Sequence, residues 1–407
     1  MTRRTARQPD RLAILITHPI QYYSPWFRHL ASLPQLELKV FYLWDFGVTE
    51  REEAKFGTSF SWDIPLLDGY DYEFLENTSD DPGTHHFKGI QNPNVVFRMN
   101  DWAPDVILIF GYHFATHQKV IRSRQLRRIP MIFRGDSHDL DPEPGFTPLI
   151  KNFLRSFNFK RFDRFLTVGQ ANEDWFANNH VPREKMIRAG HCVDNQRFLD
   201  AAPQAERDAR QWRSELGIPD NNFVFLFAGK FESKKRPLDL LAAFKKLNRP
   251  RTTLLLIGGG EHEKKLREQA NEHVIFAPFQ NQSQMPKVYA AGDVLVLPSY
   301  GRSETWGLAV NEAMNLSRPA IVSTHVGCSL DLVQDEQTGW VFRAGDLTDL
   351  IEAMDSASRH PEKTRVMGQH AQKLVSTYSY ESAGRAVLQA LAELIPEPPA
   401  AAPAETQ

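Results

Sequence analysis

Short apolar runs bounded by polar or turn-forming residues recur along the chain and alternate with helical patterns. Leu12 to Thr17, Leu36 to Leu43, Asp105 to Phe110 and Met131 to Phe133 read as strands, with a helix over Pro25 to Leu33. From Asn222 the rhythm restarts. Phe223 to Ala228, Thr253 to Ile257, Val274 to Phe276 and Val294 to Leu297 read as strands, with helices opening at Pro237, at Glu261 and near Pro286 to Ala291. Alternation of this kind predicts βαβ units and parallel sheets, and the restart favours two doubly wound sheets over one. Such halves, facing each other across a cleft, place their strand C-termini and any ligand between them.

The boundary is expected between about Asp200 and Asp220, where Ala201-Ala202-Pro203 and Gly217-Ile218-Pro219-Asp220 flank a polar helix. Residues Asp45 to Asn94 interrupt the rhythm with a polar, aromatic-studded stretch. Both a substrate-facing excursion and a hairpin insertion account for its length.

With 42% hydrophobic and 11% aromatic residues over 407 positions, the chain is not mostly disordered, and a formal charge of −2 lacks the positive field of a nucleic-acid binder. Cys192 and Cys328 are too few for a disulfide framework or a four-ligand zinc site, which points to a reducing, cytoplasmic setting. Residues 1–10 lack the apolar core of a signal peptide, and no apolar run approaches the roughly 18 residues of a membrane span. Residues 118–165 carry eleven Lys/Arg against five Asp/Glu, and Leu149 to Phe157 patterns as a basic amphipathic helix. This region is a candidate for peripheral contact with an anionic membrane at its inner face, or for ordinary core packing.

The chemistry concentrates in Pro298 to Met314, which follows an apolar strand and opens a helix. Glu304 and Glu312 are eight residues apart; on one helix they would lie on neighbouring faces about 12 Å apart in height. That suits the two ends of an elongated ligand, with the free N–H groups near Thr305 to Leu308 receiving an anion between them. Lys230, Lys234, Lys235 and Arg236, on a loop directly after another strand, supply positive charge that would neutralise phosphate oxygens. A diphosphate flanked by two sugars has the matching shape.

These segments resemble the retaining glycosyltransferases of family four, which have the GT-B fold. Glu304 and Glu312 resemble that family's E-x7-E pair, and Lys230 and Lys235 its phosphate-holding pair. Leu255 to Glu261, Tyr289 to Ser299 and Thr338 to Phe342 follow in the family's order. The resemblance implies a nucleotide diphosphate sugar as donor substrate, a hydroxyl acceptor, retention at the anomeric carbon, and neither cofactor nor metal. It implies that Glu312 accepts from the ribose, that Glu304 faces the donor sugar, and that the backbone of Thr305, Trp306, Gly307 and Leu308 cradles the diphosphate. His113, ending the strand Asp105 to Phe110, resembles the family's histidine that reaches the transferred sugar. The implied domains are an acceptor-binding domain over 11–205, a donor domain over 206–378 and a helix over 379–395 returning to the first domain, with disordered ends at 1–10 and 396–407.

Two departures stand out. The first strand-to-helix turn, glycine-bearing in many relatives, is Thr17-His-Pro-Ile-Gln-Tyr-Tyr-Ser-Pro25, which makes His18 and Gln21 candidate cleft contacts and leaves Tyr22 and Tyr23 to packing. His191-Cys192 replaces the Asn-Gly often seen before Val-Asp, without an evident reason in the sequence. Gly258-Gly-Gly-Glu261 lacks the third spaced glycine of a dinucleotide fingerprint. Asp136, opening Asp136-Ser-His-Asp-Leu-Asp141, is read as part of a cleft loop rather than a metal motif. A sugar-nucleotide epimerase using His18, His113 and Asp136, and a noncatalytic sugar-binding protein, are the alternatives on the same fold.

Overall fold

The computed structural model describes residues 9–48, 51–53, 58–60, 62–141 and 155–395. Of the ends expected to be disordered, 1–10 and 396–407, residues 1–8 and 396–407 lie outside the described residues, as do residues 149–154 of the basic amphipathic segment, whereas Asp10 already opens the first strand.

The first half carries β1 (Asp10–Ile16), β2 (Leu36–Tyr42), the short β3 (Arg51–Glu53) and β4 (Thr58–Phe60), β5 (Asp71–Phe74), β6 (Val106–Phe110), β7 (Met131–Arg134), β8 (Arg164–Thr167) and β9 (Met186–Arg188). Seven of these form one parallel sheet in the order β5-β2-β1-β6-β7-β8-β9. The second half carries β10 (Phe223–Ala228), β11 (Thr252–Ile257), β12 (Val274–Ala277), β13 (Val294–Leu297), β14 (Ala320–Ser323) and β15 (Gly339–Phe342), paired as β12-β11-β10-β13-β14-β15, all parallel. The central strands are largely apolar because helices cover both faces: every residue of β6, β11 and β13 is buried. At about 1.5–3 kcal/mol per large apolar side chain, those continuous runs are the main stabilising term.

The Asp45 to Asn94 excursion contains a hairpin insertion. β3 and β4 form an antiparallel hairpin, and β5 returns to the sheet edge beside β2. Beyond the hairpin the chain reaches the second half, where the Ser283 N–H donates to Asp63 Oδ1 at 3.0 Å.

The helix Asn195–Glu215 spans the expected boundary and carries Pro203 within it. Its Phe198, Ala205 and Ala209 pack into the core of the second half. The last helix, Tyr380–Leu394, buries Ala383, Val387, Ala390 and Leu391 against Trp26, Phe27 and Leu30 of the first half. The Tyr380 hydroxyl donates to the Tyr22 carbonyl at 3.1 Å, so this helix returns to the first half.

Candidate functional site

Loops leaving β10, β11 and β13 meet at the C-terminal edge of the second sheet, the side on which open parallel sheets bind ligands. The first two run backbone to backbone. The Gly229 N–H donates to the Ile257 carbonyl at 3.0 Å and the Phe231 N–H to the Gly259 carbonyl at 2.8 Å. Gly258, at φ +137°, permits this approach, since a Cβ there would run into the Gly229 carbonyl oxygen. Beside the crossing lies a cavity of about 210 Å³ whose lining includes Trp62, Gly229, Lys230, Gly258, Phe279 and Gln282.

Lys235 ends the short 3-10 turn Ser233–Lys235, and its ammonium is ion-paired with the Glu304 carboxylate. The Ser299 hydroxyl donates to the same Glu304 oxygen at 2.8 Å, and the Tyr300 N–H donates to the Lys234 carbonyl at 2.8 Å. The lysine loop and the glutamate loop are thus fastened together in advance of any ligand.

The expected placement of Glu304 and Glu312 on one helix needs correction. The helix runs Leu308–Asn315, and Glu304 lies in the loop before it. The cause is Gly307 at its N-cap, whose φ of +95° breaks the helical path. A Cβ at Gly307 would also come within 2.9 Å of Val326 Cγ1 and 3.0 Å of Leu297 Cδ2. Among the described residues, the N–H groups of Thr305, Trp306, Gly307 and Leu308 have no protein acceptor. Four adjacent orphan donors beside a lysine are an arrangement that can receive an anion. The Trp306 ring is not available to a ligand. It is buried, with Nε1 donating to Asn311 Oδ1 at 2.8 Å and Tyr378 5.9 Å away, centroid to centroid.

Glu312, on the helix, accepts from the Tyr289 hydroxyl at 2.6 Å. Burial raises its pKa, and the Tyr289 hydroxyl and the Arg197 charge partly offset that. It lines a second cavity, of about 200 Å³, together with Gln21, Tyr22, Arg28, Arg197 and Gln282. Gln282 lines both cavities, so the two lie on either side of one side chain. The structure therefore brings Gln21 of the first half to the same cavity as Glu312.

The first half closes over the glutamate loop through the segment after β7. Asp136 Oδ2 accepts from the Thr305 hydroxyl at 2.7 Å, and the His138 Nε2 lies 3.1 Å from the Glu304 carbonyl. With Nδ1 accepting from the Leu140 N–H at 3.2 Å, His138 carries its proton on Nε2 and donates it to Glu304. Burial lowers its pKa, which keeps the ring neutral. His113 is exposed at the end of β6 with its ring against Phe114. His138, inside the Asp136 segment, contacts the Glu304 loop at the Glu304 carbonyl, as His325 does at the Gly301 N–H, and the sequence assigns a role to neither. The available signal was two polar side chains directly behind an apolar parallel strand.

His18 packs edge-on against Phe46 at 5.4 Å and bonds the Thr17 hydroxyl at 2.9 Å; burial lowers its pKa to about 4. The unexplained His191 is a buried plug between the halves. Its ring stacks on Tyr23 at 5.6 Å and tilts toward Trp306 at 6.0 Å, while its carbonyl accepts from Asn311 Nδ2 at 3.0 Å.

Residues 208–374 match the family model described as glycosyl transferases group 1. The chain is 22% identical over 281 residues to the alpha-galactosylglucosyldiacylglycerol synthase of Streptococcus pneumoniae, an alignment covering 67% of this chain and 72% of that protein. It is 30% identical over 212 residues to a D-inositol 3-phosphate glycosyltransferase of Saccharomonospora viridis, covering 48% of this chain and 47% of that one, about half its length. Among solved structures, HepE of Anabaena in complex with UDP and glucose superposes with a TM-score of 0.69 at 18% identity, covering 94% of this chain and all of that one. The two sheets and their connections are those of the GT-B fold, with two Rossmann-like domains.

Proposed function

We propose that this chain, whose residues 208–374 match the glycosyl transferases group 1 model, transfers a sugar from a nucleoside diphosphate donor to an acceptor hydroxyl, with retention and without a metal. One observation carries the reading: the Lys235 ammonium and the Glu304 carboxylate meet directly before four unpaired backbone N–H groups at Thr305 to Leu308. That arrangement accepts a diphosphate and presents a carboxylate to the sugar attached to it.

In the proposed reaction the bond from the anomeric carbon to the phosphate oxygen breaks as an oxocarbenium-like sugar develops, so stabilising the departing negative charge is the main task. Lys235, Lys230 and the N–H groups of 305–308 are assigned that charge. Glu304 accepts from sugar hydroxyls, and Glu312, held by Tyr289, accepts from the ribose at the other end. The acceptor oxygen forms its bond on the face the phosphate leaves, and its proton passes to the departing phosphate oxygen. Of the two candidate histidines we assign contact with the sugar to His138, which sits against the Glu304 loop.

The epimerase reading needs acid/base groups, and two of its three candidates are already committed: a pKa of about 4 keeps His18 neutral at pH 7, and Asp136 holds the Thr305 hydroxyl. The names of the relatives differ in acceptor, one a glycolipid synthase and one acting on an inositol phosphate. For this chain we propose a lipid-linked or other hydroxyl acceptor met at an anionic surface, with the exposed Lys119, Arg122, Arg124, Arg127 and Arg128 as the basic contact. Among the described residues no helix is long and apolar enough to cross a membrane.

The test is a thermal-shift panel of nucleoside diphosphates, with UDP first because HepE is described with UDP. A ligand at 100 times its dissociation constant adds about 2.7 kcal/mol. The matching sugar conjugates are then incubated with and without chelator, and the anomeric configuration of the product is read by NMR. Stabilisation by no nucleoside diphosphate would sink the reading; epimerised donor in the absence of acceptor would favour the alternative.

A further inference from the structure

Outside the cleft, the loop between β5 and the 3-10 turn Phe87–Gly89 gathers Asp81, His85 and His86 at one point. We propose that these three side chains bind a divalent transition-metal ion, Zn²⁺ by preference, which staples this loop on the acceptor-side domain and takes no part in holding the donor.

Three observations carry the proposal. First, both rings aim the same nitrogen at one carboxylate oxygen: His85 Nε2 lies 3.0 Å and His86 Nε2 3.4 Å from Asp81 Oδ2. The three ligand atoms all fall within 4.8 Å of one another. A tetrahedral zinc site with bonds of about 2.0–2.1 Å separates its ligand atoms by roughly 3.3 Å. Two of the separations, 3.0 and 3.4 Å, already bracket that value, and the third lies within 4.8 Å.

Second, the backbone is arranged to converge. The Gly83 N–H donates to the Gly89 carbonyl at 3.1 Å, and the Asn77 Nδ2 donates to that same carbonyl at 2.9 Å, which folds the loop into a closed turn. Gly83 leaves room for the ring of His85, since a Cβ there would lie 2.5 Å from its Nδ1. Third, apart from Gly83, the segment from Asp81 to Lys88 is exposed or half-buried, including Phe87, so it has little core of its own to hold it. Small elements without a core are the ones that metal ligation stabilises most.

The donor set decides the cation. Two imidazoles and a carboxylate suit Zn²⁺ and its neighbours rather than Mg²⁺ or Ca²⁺, which require oxygen ligands. The fourth position would be filled by water. At present His86 Nε2 also lies 3.0 Å from the Asp81 carbonyl. Metal binding would replace that hydrogen bond and leave the imidazole proton on Nδ1. The loop lies next to a cavity of about 380 Å³ lined by Trp44, Phe74, Glu76, Asn77 and Pro82, so the staple would stiffen one wall of it.

The experiment uses full-length protein without a histidine tag, titrated with Zn²⁺ against a chromogenic chelator at pH 7.5, with Co²⁺ absorption as a second readout. One tight equivalent and the visible bands of tetrahedral Co²⁺ are expected. The exposed pair His85→Asn with His86→Asn should weaken that equivalent at least about 100-fold, and Asp81→Asn about 10-fold, with donor turnover unchanged. Affinity should fall on acidification as the imidazoles take up protons. Parent protein that binds no tight equivalent, or a double variant that binds it as the parent does, overturns the proposal.

Discussion

In the ligand-free cleft Lys235 is already engaged, and this leads to a prediction with an unusual sign. Its ammonium is on Glu304, whose side chain is 12% exposed against 21% for the lysine. A diphosphate that accepts from the same ammonium must lie roughly 4–5 Å from the carboxylate. At an effective dielectric of about 20, two unit charges at that distance repel by about 4 kcal/mol. Partial exposure and salt cut this by half or more, leaving about 1.5–2 kcal/mol. Glu304→Gln should therefore bind nucleoside diphosphate about 10–30-fold more tightly than the parent. The same variant loses the carboxylate that accepts from the sugar, so the sugar conjugate should gain little, and turnover should fall by about two orders of magnitude.

Lys235→Ala moves the other way. Loss of a charge-assisted hydrogen bond costs about 1.5–3 kcal/mol, a 10- to 150-fold weaker diphosphate. Isothermal titration of both single variants and the double variant, at low and high salt, measures the coupling. The reasoning fails if Glu304→Gln binds diphosphate no better than the parent, or if the gain survives unchanged in the Lys235→Ala background.

Four further outcomes are expected. Gly307→Ala forces a side chain onto a φ of +95° and into Val326, so it should cost about 1–3 kcal/mol in urea unfolding and weaken diphosphate binding. Asn311→Ala strands the buried Trp306 N–H and the His191 carbonyl; it should cost about 2–4 kcal/mol, read as a drop in Tm. His138→Ala should lower kcat at least 10-fold and His113→Ala under 3-fold, and steady-state kinetics with the identified donor would show the reverse if the assignment is wrong. Burial lowers the pKa of His117 to about 3, so it stays neutral in the fold but takes up a proton at about 6.5 once unfolded. The unfolded state then binds more protons between those values, and stability drops as pH falls through that window. From pH 7.5 to 5 the loss is about 2 kcal/mol, which His117→Asn should remove in denaturation curves at the two pH values.

What could be read from the sequence follows from how far apart the interacting residues lie in the chain. Parallel strands covered on both faces are mostly apolar runs, so β6, β11 and β13 declared themselves, and their order gave two sheets. The donor-side chemistry was legible for the same local reason, because the lysine loop and the Glu304 to Glu312 stretch each stand directly behind such a strand. The helix start was misplaced because one backbone angle, at Gly307, decides it, and glycine permits that angle without announcing it.

The cross-domain partners were not legible, because they exist only once the halves dock. Thr305 and Asp136 are 169 residues apart, and Asn311 and His191 are 120 apart. No periodicity records such a pairing. Yet both first-half partners stand just beyond a strand, Asp136 two residues after β7 and His191 three residues after β9. Both face the opposite domain: Asp136 is satisfied there by the Thr305 hydroxyl, while His191 docks through its carbonyl and its ring stacking, its Nδ1 left without a partner among the described residues. His191, which matched no expected motif, is therefore best understood as a docking residue, and His138 as one that docks and also borders the proposed sugar position.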